Sequence, residues 1–93
     1  MILSFGDKET EKIFQLEFSR KLPREIQERA YHKLVAIHEA ESIDNLRQPP
    51  GNRLEALRGD LEGFHSIRIN QQWRIVFRWD GGDAQEVTIA DYH

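Results

Sequence analysis

Apolar positions along this chain recur at a helical period up to about residue 46 and with a period of two from residue 53 onward. Residues 1–5 read as a lead-in strand. Asp7 then offers a side-chain oxygen to the unpaired N–H groups of a helix start, and the spacing predicts a first helix over 8–20 that carries Ile13, Phe14, Leu16 and Phe18 inward. Pro23 suits the first turn of a second helix, along which Ile26, Ala30, Leu34 and Ile37 follow at steps of four, four and three to an end near Ala40. Residues 43–46 add one further turn. Gln48-Pro49-Pro50-Gly51-Asn52 then stops regular structure, because proline fixes φ and supplies no backbone N–H.

Beyond this break the pattern predicts strands over 53–57 and 64–69 around a loop from Gly59 to Gly63, and a turn at 70–72. A third strand covers 73–79, Asp80-Gly81-Gly82-Asp83 makes a hairpin connection, and 84–92 forms the last strand. The third strand alternates cleanly, with Trp73, Ile75, Phe77 and Trp79 on one face and Arg74, Val76 and Arg78 on the other. The expected fold is α+β, in the order β-α-α-β-β-β-β. The N-terminal strand and two helices pack on one face of a mainly antiparallel sheet, as a single domain over residues 1–93. The tryptophan side covers the helices, which leaves Arg74 and Arg78 on the open side. Arg68 joins them if its strand is in matching register.

Composition narrows what such a domain can do. Ninety-three residues bury about 65% of the unfolded surface, so there is little room for an enclosed small-molecule cavity, and a macromolecule lying across an open face is favoured. No cysteine is present, which excludes disulfides, thiolate metal sites and cysteine nucleophiles and is compatible with a reducing cytoplasm, the expected location. No run approaches the roughly 20 apolar residues of a membrane span, and the first five residues are too short and uncharged for a signal peptide.

The net charge of −3 speaks against nucleic-acid binding by the molecule as a whole. Its distribution says more. From position 47 onward the basic residues are Arg47, Arg53, Arg58, Arg68, Arg74 and Arg78, without a lysine. Arginine presents a planar fork that grips phosphate at two points and keeps its charge. Strand arginines of this kind serve either solubility or phosphate binding.

The sequence ends on Asp91-Tyr92-His93, a carboxylate, a phenol and an imidazole. An imidazole with its ordinary pKa near 6.5 offers both acid and base forms at neutral pH. Cleaving RNA needs a base to free the 2′-hydroxyl, an acid for the leaving 5′-oxygen and cations for the developing charge. The terminal triplet beside an arginine-bearing sheet supplies these types. A carboxylate following His93 would also favour its charged form, so residues appended there are expected to weaken activity. His32 and His38 read as surface residues whose separation of six does not place both on one helix face, and no metal site or cofactor follows. His65 is open to either a packing or a site role.

The run Pro49-Pro50-Gly51-Asn52-Arg53-Leu54, then Leu57-Arg58-Gly59-Asp60, Gly63-Phe64-His65-Ser66-Ile67-Arg68-Ile69, Trp73-Arg74-Ile75 and the terminal Asp91-Tyr92-His93, resembles HigB-type toxins of the RelE/ParE superfamily. The resemblance covers the whole chain. It implies a RelE/ParE-like fold and the toxin of a bacterial toxin–antitoxin pair that binds the ribosomal decoding site and cuts mRNA there. It also implies a HigA-type helix-turn-helix antitoxin as partner. Matched by position, Asp91, Tyr92 and His93 resemble the family's catalytic end, while Arg58 and Arg74 match basic positions that hold RNA phosphates. Arg53, Arg68 and Arg78 join them from the strand pattern. Where many members carry a histidine, this sequence has Glu55. A glutamate of ordinary pKa near 4.3 would pay about 3.7 kcal/mol to serve as an acid at pH 7, so Glu55 is expected to act as base or anchor. Relatives in the wider superfamily poison DNA gyrase by binding, and a non-enzymatic or weakly active toxin is the alternative reading.

Overall fold

The computed structural model describes residues 1–91. Tyr92 and His93, expected in the last strand and among the catalytic candidates, lie outside the described residues. Helix α1 spans Lys8–Phe14 and starts as predicted, with the Asp7 carboxylate accepting a bond from the Thr10 N–H at 2.8 Å. It ends earlier than its apolar spacing suggested. Leu16 takes a left-handed φ of 64°, and the Glu17 N–H turns back onto the Lys12 carbonyl at 2.8 Å, which closes the helix. Beyond this turn the buried Ser19 gathers the chain: its hydroxyl donates to Glu9 at 2.6 Å and accepts from the Lys21 and Leu22 N–H groups. Gln27 brackets its backbone from α2. Leu16 and Phe18, expected inward, are therefore 74% and 60% exposed.

Helix α2 spans Arg24–Glu39 and buries Ile26, Ala30, Leu34 and Ile37, the four positions its spacing marked. A 3-10 turn at Ile43–Arg47 follows, buries Leu46, and leads to a second at Pro50–Asn52. Asn52 is only 1% exposed, and its amide donates to the Leu46 and Gln48 carbonyls while its oxygen accepts from the Lys33 ammonium. This one side chain fastens the proline loop to α2.

The sheet comprises β1 (Glu55–Ala56), β2 (Phe64–Arg68), β3 (Trp73–Asp80) and β4 (Asp83–Asp91), paired antiparallel in that order. The strand predicted over 53–57 shrinks to β1 because Asn52 holds the preceding turn and Arg53 takes a left-handed φ of 46°. Gly81 and Gly82, with φ of 60° and 87°, form the two-residue connection between β3 and β4 that such positive angles require.

Residues 1–5 form two isolated parallel bridges, Ile2 to Ala84 and Phe5 to Val87, rather than a full strand. They occupy the outer edge of β4, and the Thr10 hydroxyl continues the cover by accepting the Ile89 N–H at 2.9 Å. His38 is not simply a surface residue: its Nδ1 accepts the Ile2 N–H at 3.1 Å and ties this segment to α2. Gly6 passes so close to β4 that an added Cβ would lie 1.9 Å from the Thr88 hydroxyl oxygen, which itself bonds the Glu86 carbonyl. Gly6→Ala is expected to destabilise the fold by about 1–3 kcal/mol, read as a lower urea midpoint at unchanged slope. A midpoint equal to the parent's would show that the segment has room to shift.

Thr88 pairs with Val76 and Gln85 with Arg78, so Glu86 and Val87 together oppose Phe77, and Glu86 has a φ of 53°. This bulge inserts one residue and lets Ala84, Val87 and Ile89 all face the core, which strict alternation from Ala84 would not allow. Both helices pack on that face, against Ile67, Ile75, Phe77, Val87 and Ile89, with Trp73 and Trp79 half-buried beside them.

Candidate active site on the open strand face

Residues directly opposite one another in antiparallel strands share a sheet face, with Cα atoms about 4.5–5.5 Å apart. Three such rows cross the face away from the helices. Glu55 opposes Ser66, which opposes Val76 and then Thr88. Arg68 opposes Arg74 and Ala90, and Phe64 opposes Arg78 and Gln85. The register thus brings Glu55, Arg68, Arg74 and Arg78 to one face. Arg74 and Arg78 lie about 13 Å apart along β3.

Opposing Arg68 to Arg74 sets two like charges together, which costs stability unless something else uses them. Their partners draw the guanidinium groups to opposite sides. Arg68 Nε donates to the Asn70 carbonyl at 3.0 Å, toward the hairpin turn. Arg74 Nε donates to Ser66 Oγ at 2.9 Å, and its Nη2 to the Arg53 carbonyl at 2.7 Å. The exposed Arg53 therefore flanks the Arg74 end of the face. Arg58, also exposed, follows Leu57, whose N–H bonds the Phe64 carbonyl, and so marks the Arg78 end. Arg53, Arg68, Arg74 and Arg78 border one surface with the exposed Glu55 carboxylate, while Arg58 follows at the edge, one residue beyond Leu57, which faces that surface opposite Phe64. Ser66 is fully buried beneath Arg74, and strand alternation alone marks it as no more than a small residue on the open face.

Asp91 is placed differently from the expected cluster. It pairs with Trp73, which puts it on the parity of Ile89 and the helix side, and it accepts a bond from Gln72 Nε2 at 3.2 Å beside the turn. It meets the arginine surface at the end of the sheet rather than across it. Among the described residues no three histidine, aspartate or glutamate side chains gather as a metal site. A cleft of about 580 Å³ between α2 and the proline loop is lined by Arg29, His32, Lys33 and Asn52 among others, and Arg29 at its edge donates to the Ile69 carbonyl at 3.1 Å.

His65 belongs to the core side. Its ring stacks on Phe77 at 6.3 Å, and its buried Nδ1 has no hydrogen-bond partner among the described residues. Burial, with Arg47 nearby, holds its pKa below the ordinary 6.5. The unfolded chain then binds this proton more readily than the folded one, so the stability is complete above about pH 6.5 and is lost as pH falls below it. Urea midpoints measured from pH 7 to 5 are expected to fall, and to fall less in His65→Phe. Parallel pH profiles for the two proteins would assign the effect to other groups.

The profile of the family described as RelE-like toxin of type II toxin–antitoxin system HigB matches residues 3–93. Toxin HigB-1 of Vibrio cholerae serotype O1 is 40% identical over 94 residues, covering 100% of this chain and 98% of that protein. Endoribonuclease HigB of Proteus vulgaris is 34% identical over 93 residues, covering 100% of both. Among solved structures, a heterotetrameric YoeB–YefM toxin–antitoxin complex from Staphylococcus aureus superposes with a TM-score of 0.62 at 21% identity. That match covers 100% of this chain and 95% of that one, a likeness of fold.

Proposed function

The chain belongs to the HigB-like family of RelE-like toxins of type II toxin–antitoxin systems, and from that premise we propose that it is a ribosome-dependent endoribonuclease cutting mRNA in the decoding site. The observation that most supports this reading is the register that sets Glu55 among Arg68, Arg74 and Arg78 on a face without a helix among the described residues. The 34% identical Proteus vulgaris relative, named an endoribonuclease, supports the reaction type.

In the proposed reaction the 2′-hydroxyl oxygen attacks the adjacent phosphorus and the 5′-oxygen leaves, so the upstream product carries a cyclic phosphate. Glu55 or Asp91 assists removal of the 2′-hydroxyl proton, His93 gives a proton to the departing 5′-oxygen, and Tyr92 orients the substrate. Arg74, with Arg58, Arg68, Arg78 and Arg53 around it, meets the charge that grows on the phosphorane. Two fixed acceptors hold Arg74 in place before substrate arrives, so little reorganisation is needed as the charge develops. The proposed partner is a HigA-type helix-turn-helix antitoxin, and the proposed site of action is the cytoplasm. Among the described residues no helix is long and apolar enough to cross a membrane.

Induced expression in a bacterial host tests this reading. Growth is expected to stop while new 5′ ends accumulate in translated mRNA, and co-expressed antitoxin is expected to restore growth. Arrest with mRNA intact would contradict it and favour a toxin that acts by binding alone.

A further inference from the structure

Among the described residues Ser66 is the one fully buried side chain of the arginine face, and it sits between the two groups that the proposed reaction needs nearest the phosphate. It lies directly opposite Glu55 on β1 and one diagonal step from Arg74 on β3. Its hydroxyl accepts the Arg74 Nε–H at 2.9 Å, and its carbonyl lies 3.5 Å from Nη2. The Arg53 carbonyl takes an Nη2 hydrogen at 2.7 Å from the neighbouring loop. That carbonyl is aimed by the left-handed backbone of Arg53, which follows Asn52, the buried residue that fastens the loop to Leu46, Gln48 and Lys33. Two acceptors along one edge of a planar fork fix its plane as well as its position.

We infer that Ser66 is a positioning residue for Arg74, holding the guanidinium in the plane from which it meets the scissile phosphate. The inference rests on the reading of this face as the RNA-cutting surface. An arginine on a strand otherwise samples many rotamers, and ordering it during the reaction would raise the barrier. The hydroxyl does that ordering in advance. The Arg53 hold is a backbone atom that no side-chain truncation removes, so among the described residues the Ser66 hydroxyl is the hold that a substitution deletes.

The experiment is a double-mutant cycle on single-turnover cleavage of mRNA in programmed ribosomes, using the parent, Ser66→Ala, Arg74→Ala and the double variant, with thermal midpoints recorded alongside. Ser66→Ala is expected to slow cleavage roughly 10- to 100-fold with KM little changed. In the Arg74→Ala background the same change is expected to have no further effect, because the residue it positions is gone. A merely structural serine would slow both backgrounds by the same factor. Ser66→Ala at the parent rate, or equal factors in both backgrounds, overturns the inference while a slow Arg74→Ala leaves the reading of the face standing. Arg74→Ala at the parent rate overturns both.

Discussion

Arg74→Ala is expected to slow mRNA cleavage by about 100- to 1,000-fold, or roughly 2.7–4 kcal/mol, the effect of deleting one preorganised donor from an oxyanion site. The reason lies in what already holds the side chain. Bonds to Ser66 Oγ and the Arg53 carbonyl fix the guanidinium, so its charge acts on the phosphorane without reordering. Arg68 stands directly opposite, an arrangement of like charges that the sheet tolerates at a cost and that an anionic substrate would relieve. An arginine serving only solubility would change the rate hardly at all when removed. Circular dichroism and the thermal midpoint separate loss of chemistry from loss of fold. If a folded Arg74→Ala protein cuts at the parent rate, and Arg58→Ala does the same, the arginine face is not the active surface.

His93→Ala is expected to cost about 100- to 10,000-fold, the range for removing a general acid or base, and to abolish growth arrest in cells. This prediction comes from the sequence. A departing 5′-oxygen needs a proton, and the arginines that border the face cannot give one up at neutral pH. An imidazole of ordinary pKa near 6.5 is about a quarter protonated at pH 7, which is enough to supply it. The growth assay reads toxicity, and antitoxin binding by the purified variant reports that it still folds. Full toxicity in a folded His93→Ala protein would favour action by binding alone.

The open face was legible because it depends only on alternation. Once Trp73, Ile75, Phe77 and Trp79 were assigned to the core, Arg74 and Arg78 had to face outward, and Arg68 followed when β2 took the matching register. Helix α2 was equally legible from its four apolar positions. The end of α1 was not, because Leu16 and Phe18 keep helical spacing. The stop is the left-handed turn at Leu16, and beyond it Ser19, a small polar residue whose bonds to Glu9 and Gln27 have no signature in a periodic pattern, holds the chain off the helical path. The same holds for Asn52, which shortens β1 through side-chain bonds to the nearby Leu46 and Gln48 carbonyls and to Lys33, nineteen residues earlier on α2.

Asp91 is placed by the same alternation. Counting by two from the buried Ile89 puts it on the parity opposite Arg74 and Arg78, at the end of the sheet that carries them. The bulge at Glu86 was also visible in principle, since Ala84 falls out of phase with Val87 and Ile89.

The most direct test of the central claim is primer extension on an mRNA whose ribosomes are stalled at a defined codon. The account predicts cuts within the codon in the decoding site, moving by one codon when the stall is moved by one codon, and no such cuts in naked mRNA. Unbroken mRNA at saturating protein, or cuts that stay at fixed sequences wherever the ribosome stands, would contradict it.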